Sequence, residues 1–549
     1  MSVETILLLS LAATVTIVVV HRIDDRTGIP AAALLTVLGL AYSLVPGPNI
    51  TLDPHVVLTF VLPPLLYSTA LDSSLLAIRK NLRTVISLSV VLVLVTAVVI
   101  GVGINLLVAG VTLSAGIALG ACVAPPDPVA ALAVGRRVGL PPHLTTLIQG
   151  EGLLNDATAL TTLTVAVAAA GGEGFSLPFA VGEFALAAVG GVVAGVLVAL
   201  AVRLARPFTA DPLTTNAVSL ATPFLAYLLG EAVHVSGVLA VVVAGLIVGH
   251  DTPRSSSGAS RLQVAAVWRL VDYLLEGFVF LLIGQQLPEV VRGLDDYRTG
   301  TVVSAAAVTV GLVLVLRPLW LMATQLLPSS LHTWLGGDGE RTPGRLTGRE
   351  VVVLSWTGTR GVITLAAIFT IPVTIDGHPF PGRDLLLFCA FVVVLVTLVG
   401  QGMTFAPLVR RLGLRASERD MARLRNQARL AATQAALRRL DELSEPHADG
   451  GNSATDLDIE ARVVESARRQ LELQEGRYRG RLDALEDAAP GEAARTAPYE
   501  AALRLRRLTL DAQREELLRL RDAGQLPDAG LRTLERELDH EEGRLPDRM

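Results

Sequence analysis

The chain is 549 residues long, 51% hydrophobic and 18% charged, with a net charge of −5 and a mean hydropathy of +0.53. That balance excludes an ordinary soluble enzyme of this length and offers no basic surface for nucleic acid. The two cysteines, Cys122 and Cys389, both lie inside apolar runs, so neither a disulfide framework nor a cysteine metal site is expected.

Apolar runs occupy the chain up to about Arg411, each near the ~20 residues that cross ~30 Å of hydrocarbon. They fall at about 3–20, 29–45, 55–71, 84–109, 112–135, 144–170, 176–202, 213–233, 235–249, 264–287, 299–327, 350–372 and 384–409. This pattern predicts an all-α polytopic membrane protein of about 13 transmembrane helices. Residues 1–411 form the membrane domain and 412–549 a helical cytoplasmic tail. The first run, Val3 to Val20, lacks a basic segment ahead of it and a small-residue cleavage site, so it is predicted to be a retained span.

Loop charge sets the orientation, because Lys and Arg accumulate on the cytoplasmic side. One set of alternate loops carries Arg22 and Arg26, then Arg79, Lys80 and Arg83, then Arg136 and Arg137. It continues with Arg203, Arg206, Arg254, Arg261, Arg341, Arg345 and Arg349, whereas the opposite set carries only Arg292, Arg298 and Arg383. The expectation is a multi-pass protein of the cell membrane with its N-terminus outside and its tail in the cytoplasm.

Two spans are interrupted. Ala124-Pro125-Pro126-Asp127-Pro128 breaks the fifth, and the missing N–H groups deprive the carbonyls of Ala121, Cys122 and Ala124 of helical partners. Thr357-Gly358-Thr359-Arg360-Gly361 breaks the twelfth. If spans one to six and eight to thirteen are repeats, both breaks fall on the fifth helix of a repeat. That is the arrangement of inverted-repeat transporters with two crossed discontinuous helices.

The sixth span carries Glu151 and Asp156, where a charge costs roughly 2.5–3.5 kcal/mol on insertion scales. Glu151 and Asn155 share a face, as do Gly152 and Asp156, and the two acids are turned about 140° apart. Gly152 below Asp156 is expected to leave room for an ion or water. Arg317 and Arg360 are buried cations that need carboxylate partners. Glu151 is expected to pair with Arg317, and Asp127 with Arg360 either as a structural pair or within the site. Asp156 is then the unpaired acid. Desolvation penalises its charged form, so a proton and a small cation compete for it. That competition predicts electroneutral one-for-one exchange, with Asn155 where a second exchanging acid would otherwise stand. His234 is expected to cap the ninth span. Tyr67 and Ser68, after Pro63-Pro64, either line the pathway or pack a kinked helix.

Several motifs resemble those of one family. They are Phe60-Val-Leu-Pro-Pro-Leu-Leu-Tyr67, Ala124-Pro-Pro-Asp-Pro-Val-Ala130, Gly150-Glu-Gly-Leu-Leu-Asn-Asp-Ala157 and His234-Val-Ser-Gly-Val-Leu-Ala240. Phe278-Val-Phe-Leu-Leu-Ile-Gly284, Thr359-Arg-Gly-Val362 and Gln401-Gly-Met-Thr-Phe-Ala-Pro-Leu-Val-Arg410 complete the set. Their order over about residues 5–415 resembles the bacterial sodium/proton antiporters of the monovalent cation:proton antiporter-1 (NHE/NhaP-type) family. The segment Leu518 to Glu542 is similar to the helical tail of the bacterial branch.

The resemblance implies a homodimer in which a six-helix core moves against a dimerisation domain. It also implies Na+ and a proton exchanging at Asp156, with Asn155, Asp127 and the Pro126 backbone carbonyl beside it, and Glu151 with Arg317 as the core ion pair. No cofactor is implied; Na+ and H+ are cargo, and the bilayer is the other partner. Three departures bear on cation choice. Pro126 stands where many members have threonine, Gly152 where they have serine, and Ser68 near where some have glutamate. A potassium/proton exchanger of the same fold is the main alternative. A cation channel is a second. An intramembrane aspartyl protease using Asp127 and Asp156 is a third, but its Tyr-Asp and Gly-x-Gly-Asp motifs are absent.

In the tail, Leu430, Leu437, Leu440 and Leu443 recur at helical spacing, as do Leu503, Leu510, Leu517 and Leu520. Ser444 to Thr455 reads as a joint and Leu526-Pro-Asp-Ala-Gly as a turn into a last helix. The tail serves regulation or dimer contact, or is a solvated appendage.

Overall fold

The computed structural model describes residues 2–45, 54–171, 177–206, 211–295, 297–326, 346–375, 377–414, 417–444, 461–487, 497–523, 525–526 and 528–542. Arg341, Arg345, most of the predicted joint at 444–455 and Pro527 lie outside the described residues. The chain divides into two compact units, Met1–Arg415 and Ala416–Met549.

The first unit opens with α1 (Val3–Thr27) and α2 (Ala31–Ser43). Next come α3 (Pro54–Leu71), a short α4 (Leu75–Lys80) and α5 (Leu82–Leu107). The first broken span is α6 (Leu113–Val123) and α7 (Pro128–Val138). Five long helices follow: α8 (Pro142–Ala170), α9 (Leu177–Ala205), α10 (Pro212–Ala232), α11 (Gly237–Ser255) and α12 (Gly258–Gln285). After a short α13 (Leu287–Arg292) come α14 (Thr299–Leu326) and the second broken span, α15 (Gly348–Trp356) and α16 (Val362–Phe369). A two-residue hairpin, Thr374–Ile375 against His378–Pro379, leads into α17 (Arg383–Leu412). Every predicted apolar stretch contains helix, and among the described residues nine helices are long and apolar enough to cross a bilayer.

Local chemistry explains the ends. Ser2, Thr112, Asp211, Ser236, Ser257 and Thr347 each accept a backbone N–H at a helix start. Proline opens α7, α8 and α10, where its missing N–H costs nothing. Ser236, not His234, caps α11. His234 instead turns the chain with φ 57°, its N–H bonded to the Glu231 carbonyl. Wide π-helical turns interrupt α3 at Val57–Val61, α5 at Ser87–Val91 and α17 at Val396–Gln401. Pro63-Pro64 follow the first and Gly400 and Gly402 accompany the third, whereas the second has neither proline nor glycine.

Helix packing sorts this unit into two groups. α5, α6–α7, α8, α14, α15–α16 and α17 pack mainly on one another and contain both breaks. α1, α2, α3, α9, α10, α11 and α12 form the other group, in which α2 lies along α12, and α11 is sandwiched against α3, α9 and α10. Contacts between the groups are thinner than those within them. The first group is called the core below and the second the scaffold.

The second unit is helical: α18 (Glu418–Ser444), α19 (Ala461–Asp487), α20 (Ala497–Asp522) and α21 (Asp528–Glu542). α18 pairs with α19, with Arg429 over the Tyr478 ring, and α20 pairs with α21. Leu510 is buried in that second pair.

Candidate ion site at the crossing of two broken helices

The proline cluster ends α6 at Val123, and the glycine–arginine cluster ends α15 at Trp356. The two extended segments pair with each other. The Asp127 N–H donates to the Thr359 carbonyl at 2.6 Å, and the Thr359 hydroxyl donates to the Asp127 carbonyl at 2.9 Å. In an unbroken helix that Asp127 N–H would serve the Val123 carbonyl. Arg360 takes over the duty: Nε donates to Val123 O at 2.9 Å, and Nη2 to Ala124 O at 3.1 Å. Nη1 reaches the Gly358 carbonyl.

This corrects the expectation that Arg360 pairs with Asp127 or another acid. Among the described residues no carboxylate lies within ion-pair distance of Arg360. The carbonyls at the end of a half-helix carry negative partial charge, and several of them together satisfy a guanidinium.

Asp127 caps the opposite polarity. Its Oδ1 accepts the Val129 N–H at 3.0 Å at the start of α7. The other carboxylate oxygen lies against Gly361, beside the Val362 N–H that opens α16. A side chain at 361 would overlap that carboxylate, so glycine is required there. One carboxylate therefore faces two half-helix N-termini.

On α8, Glu151 forms a fork with Arg317 of α14. Nη1 meets Oε1, and Nη2 donates to Oε2 at 2.8 Å. Arg317 also donates from Nε to Leu354 O at 2.8 Å and from Nη2 to the Thr357 hydroxyl at 3.2 Å. It thus ties α8 to the end of α15. Asn155, fully buried, donates to the Pro126 carbonyl at 2.8 Å and keeps its own Oδ1 without a partner. Asp156 is 2% exposed and makes no hydrogen bond or ion pair among the described residues. The Asp127 carboxylate is its electrostatic neighbour.

Gly152 does not leave a void for an ion. A Cβ there would run into the Pro128 ring, so the glycine admits the first turn of α7 against α8. That contact brings the face bearing Asp156 against the break.

Two acids escaped the sequence reading. Asp272 and Glu276 are one turn apart on α12 in the 264–287 run, the same signal that marks Glu151 and Asp156. Ser68 donates to Asp272 Oδ2, and Asp272 Oδ1 is buried without a donor. Glu276 has no hydrogen bond or ion pair among the described residues; its charged neighbours are Asp272, Asp127 and, of opposite sign, Arg136. Tyr67, fully buried, packs against Trp268 with ring centroids 5.3 Å apart and the planes tilted by 53°.

A polytopic bundle whose two broken helices meet around charged groups has the build of a secondary transporter. The comparisons narrow the class. The sequence profile described as "Sodium/hydrogen exchanger, transmembrane" matches residues 8–411, and the chain belongs to that family of cation/proton antiporters. An uncharacterised Na+/H+ exchanger of Mycobacterium bovis is 33% identical over 99% of this chain and 96% of its own. A sodium, potassium, lithium and rubidium/H+ antiporter of Bacillus subtilis is 31% identical over 70% of this chain and 58% of its own. The solved sodium/proton antiporter MjNhaP1 of Methanocaldococcus jannaschii shares the fold. It has a TM-score of 0.56 and 18% identity, covering 74% of this chain and 99% of that one.

Proposed function

We propose that the chain exchanges Na+ for H+ across the cell membrane, one for one and without net charge, by alternating access. Li+ and K+ are further cargo candidates. Asp156 carries either the cation or the proton, with Asn155, the Pro126 carbonyl and Asp127 beside it. The carrying observation is that Asp156 is buried within the core, with Asp127 of the first break as its charged neighbour and no partner of its own, while Glu151 and Arg317 neutralise each other. A lone carboxylate in such a place favours the form that has taken up a proton or a cation.

The remaining parts of this reading follow from it. Thirteen crossings with the N-terminus outside put the tail in the cytoplasm, and the two broken spans occupy equivalent places in inverted repeats. The core shifts against the scaffold, and the scaffold supplies a homodimer contact. Net exchange in this direction serves pH homeostasis. Potassium/proton exchange is the second reading, favoured by the breadth of cations in the name of the Bacillus subtilis relative.

The test is dye-reported proton efflux from inverted vesicles with Na+, K+ and Li+ added in turn. Asp156→Asn abolishes every response; a variant that still responds removes Asp156 from the mechanism.

A further inference from the structure

The half-helix α7 has a functional group at each end. Asp127 caps its start, and Arg136 and Arg137 occupy its last turn, about 15 Å away at 1.5 Å per residue. Arg137 reaches out of the core to the last turns of α1. Its Nη1 and Nη2 engage both oxygens of Asp24, the second at 3.0 Å, and Nη2 lies 3.4 Å from Asp25 Oδ1. Asp24 is buried, with 7% exposure, although it sits near a helix end.

Three features set this pair apart from an ordinary surface ion pair. It is a two-pronged guanidinium–carboxylate fork, the strongest geometry such pairs adopt. It joins helices that are not principal neighbours: α1 packs on α2 and α12 in the scaffold, and α7 on α8 and α17 in the core. Finally, Asp24 and Asp25 stand near the C-terminus of α1, where the helix dipole disfavours acids. Arg137 adds to Arg26, in the last turn of α1 itself, in offsetting that local cost.

We propose that Arg137 and Asp24 form a latch between core and scaffold, holding α7 in the conformation seen here and opening when the core moves. Arg137 is thus a positioning residue. It acts through α7 on the Asp127 end of the crossing without touching the cargo. This rests on the alternating-access reading, in which the two helix groups change their relative position. A latch made in one access state and absent in the other sets the balance between them, and with it the apparent affinity for the cation.

The test uses Arg137→Gln, Asp24→Asn, Asp25→Asn and the double charge reversal Asp24→Arg with Arg137→Asp in the full chain. Two readouts are taken. One is the Na+ concentration for half-maximal proton efflux; the other is deuterium uptake across residues 128–138, measured also in an Asp156→Asn background. Arg137→Gln and Asp24→Asn each shift the half-maximal concentration about three- to tenfold and raise uptake in α7. Asp25→Asn has little effect, and the double reversal returns both readouts toward the parent. Unchanged readouts in the single variants, or a reversal no better than they are, overturn the latch. Loss of the exchange reading itself leaves a separate mark: the parent shows no cation-driven efflux, while deuterium uptake still reports whether the pair holds α7.

Discussion

The fork between Glu151 and Arg317 can be tested by removing one charge and then both. The side chains of Arg317 and Glu151 are 4% and 2% exposed. Arg317→Met deletes two charge-assisted bonds to Glu151 and leaves a buried carboxylate without a counter-charge. Breaking one side of such a pair costs about 3–5 kcal/mol. The carbonyl of Leu354 adds little to this, because the Thr357 hydroxyl still donates to it at 2.8 Å. Most of the loss is therefore the stranded Glu151. Replacing both residues, as Glu151→Gln with Arg317→Met, removes the stranded charge and should recover more than half of the deficit.

The assay is the apparent Tm of purified protein in detergent, with the three proteins run at one scan rate because membrane proteins unfold irreversibly. The expected order is parent, then the double variant, then Arg317→Met, with Arg317→Met lower by several degrees. Equal Tm values for Arg317→Met and the parent would refute the claim that the pair holds α8 to α15. A double variant no more stable than the single one would show that the loss comes from packing and not from the stranded charge.

Other expectations follow from the same geometry. Asn155→Asp places a second acid beside Asp156; transport in proteoliposomes should then respond to an imposed membrane potential, whereas the parent should not. Potential-driven net transport by the parent would defeat the one-for-one reading. Gly152→Ala drives a methyl into the Pro128 ring, so proton efflux should fall at least severalfold; parent-like activity would mean that α7 and α8 part freely. Asp272→Asn and Glu276→Gln remove unpaired acids beside the crossing and should raise the half-maximal cation concentration while sparing the maximal rate. No change in either variant would make them passive. Cutting the chain after Leu414 removes the second unit and should leave cation-driven efflux in place.

Much of this arrangement is legible in the sequence because bilayer physics writes it in large letters. Apolar length marks the helices, and the proline cluster at 125–128 and the glycines around Arg360 mark the breaks. What the sequence hides is where backbone groups do the pairing. Arg360 reads as a cation in want of an acid: the prolines announce a freed carbonyl at Ala124, but not that it and the Val123 carbonyl meet a residue more than 200 positions away. Gly152 reads as empty space because the partner that fills it, Pro128, lies on another helix. The π-helical turn at Ser87–Val91 has no proline or glycine beside it to mark it, and Asp272 and Glu276 carry the same signal as the pair on α8, acids inside an apolar run, at a spacing of one turn.

The breaks and the charges belong to one electrostatic arrangement. Interrupting two helices in the membrane creates half-helix ends that must be neutralised where water is scarce. The chain spends its fixed charges there: Arg360 on the carbonyls ending α6, Arg317 on the Leu354 carbonyl near the end of α15, Asp127 on the starts of α7 and α16. Glu151 then balances Arg317. Once those assignments are made, neither Arg360 nor Arg317 remains for Asp156. Its lack of a partner is a consequence of how the crossing is held together, so a substitution that frees Arg360 or Arg317 should act on Asp156 without touching it. Val123 and Ala124 offer Arg360 their backbone carbonyls. Arg360→Gln should therefore impair exchange by loosening the crossing, although Arg360 makes no bond to Asp156, and cation-driven efflux equal to the parent's would refute this.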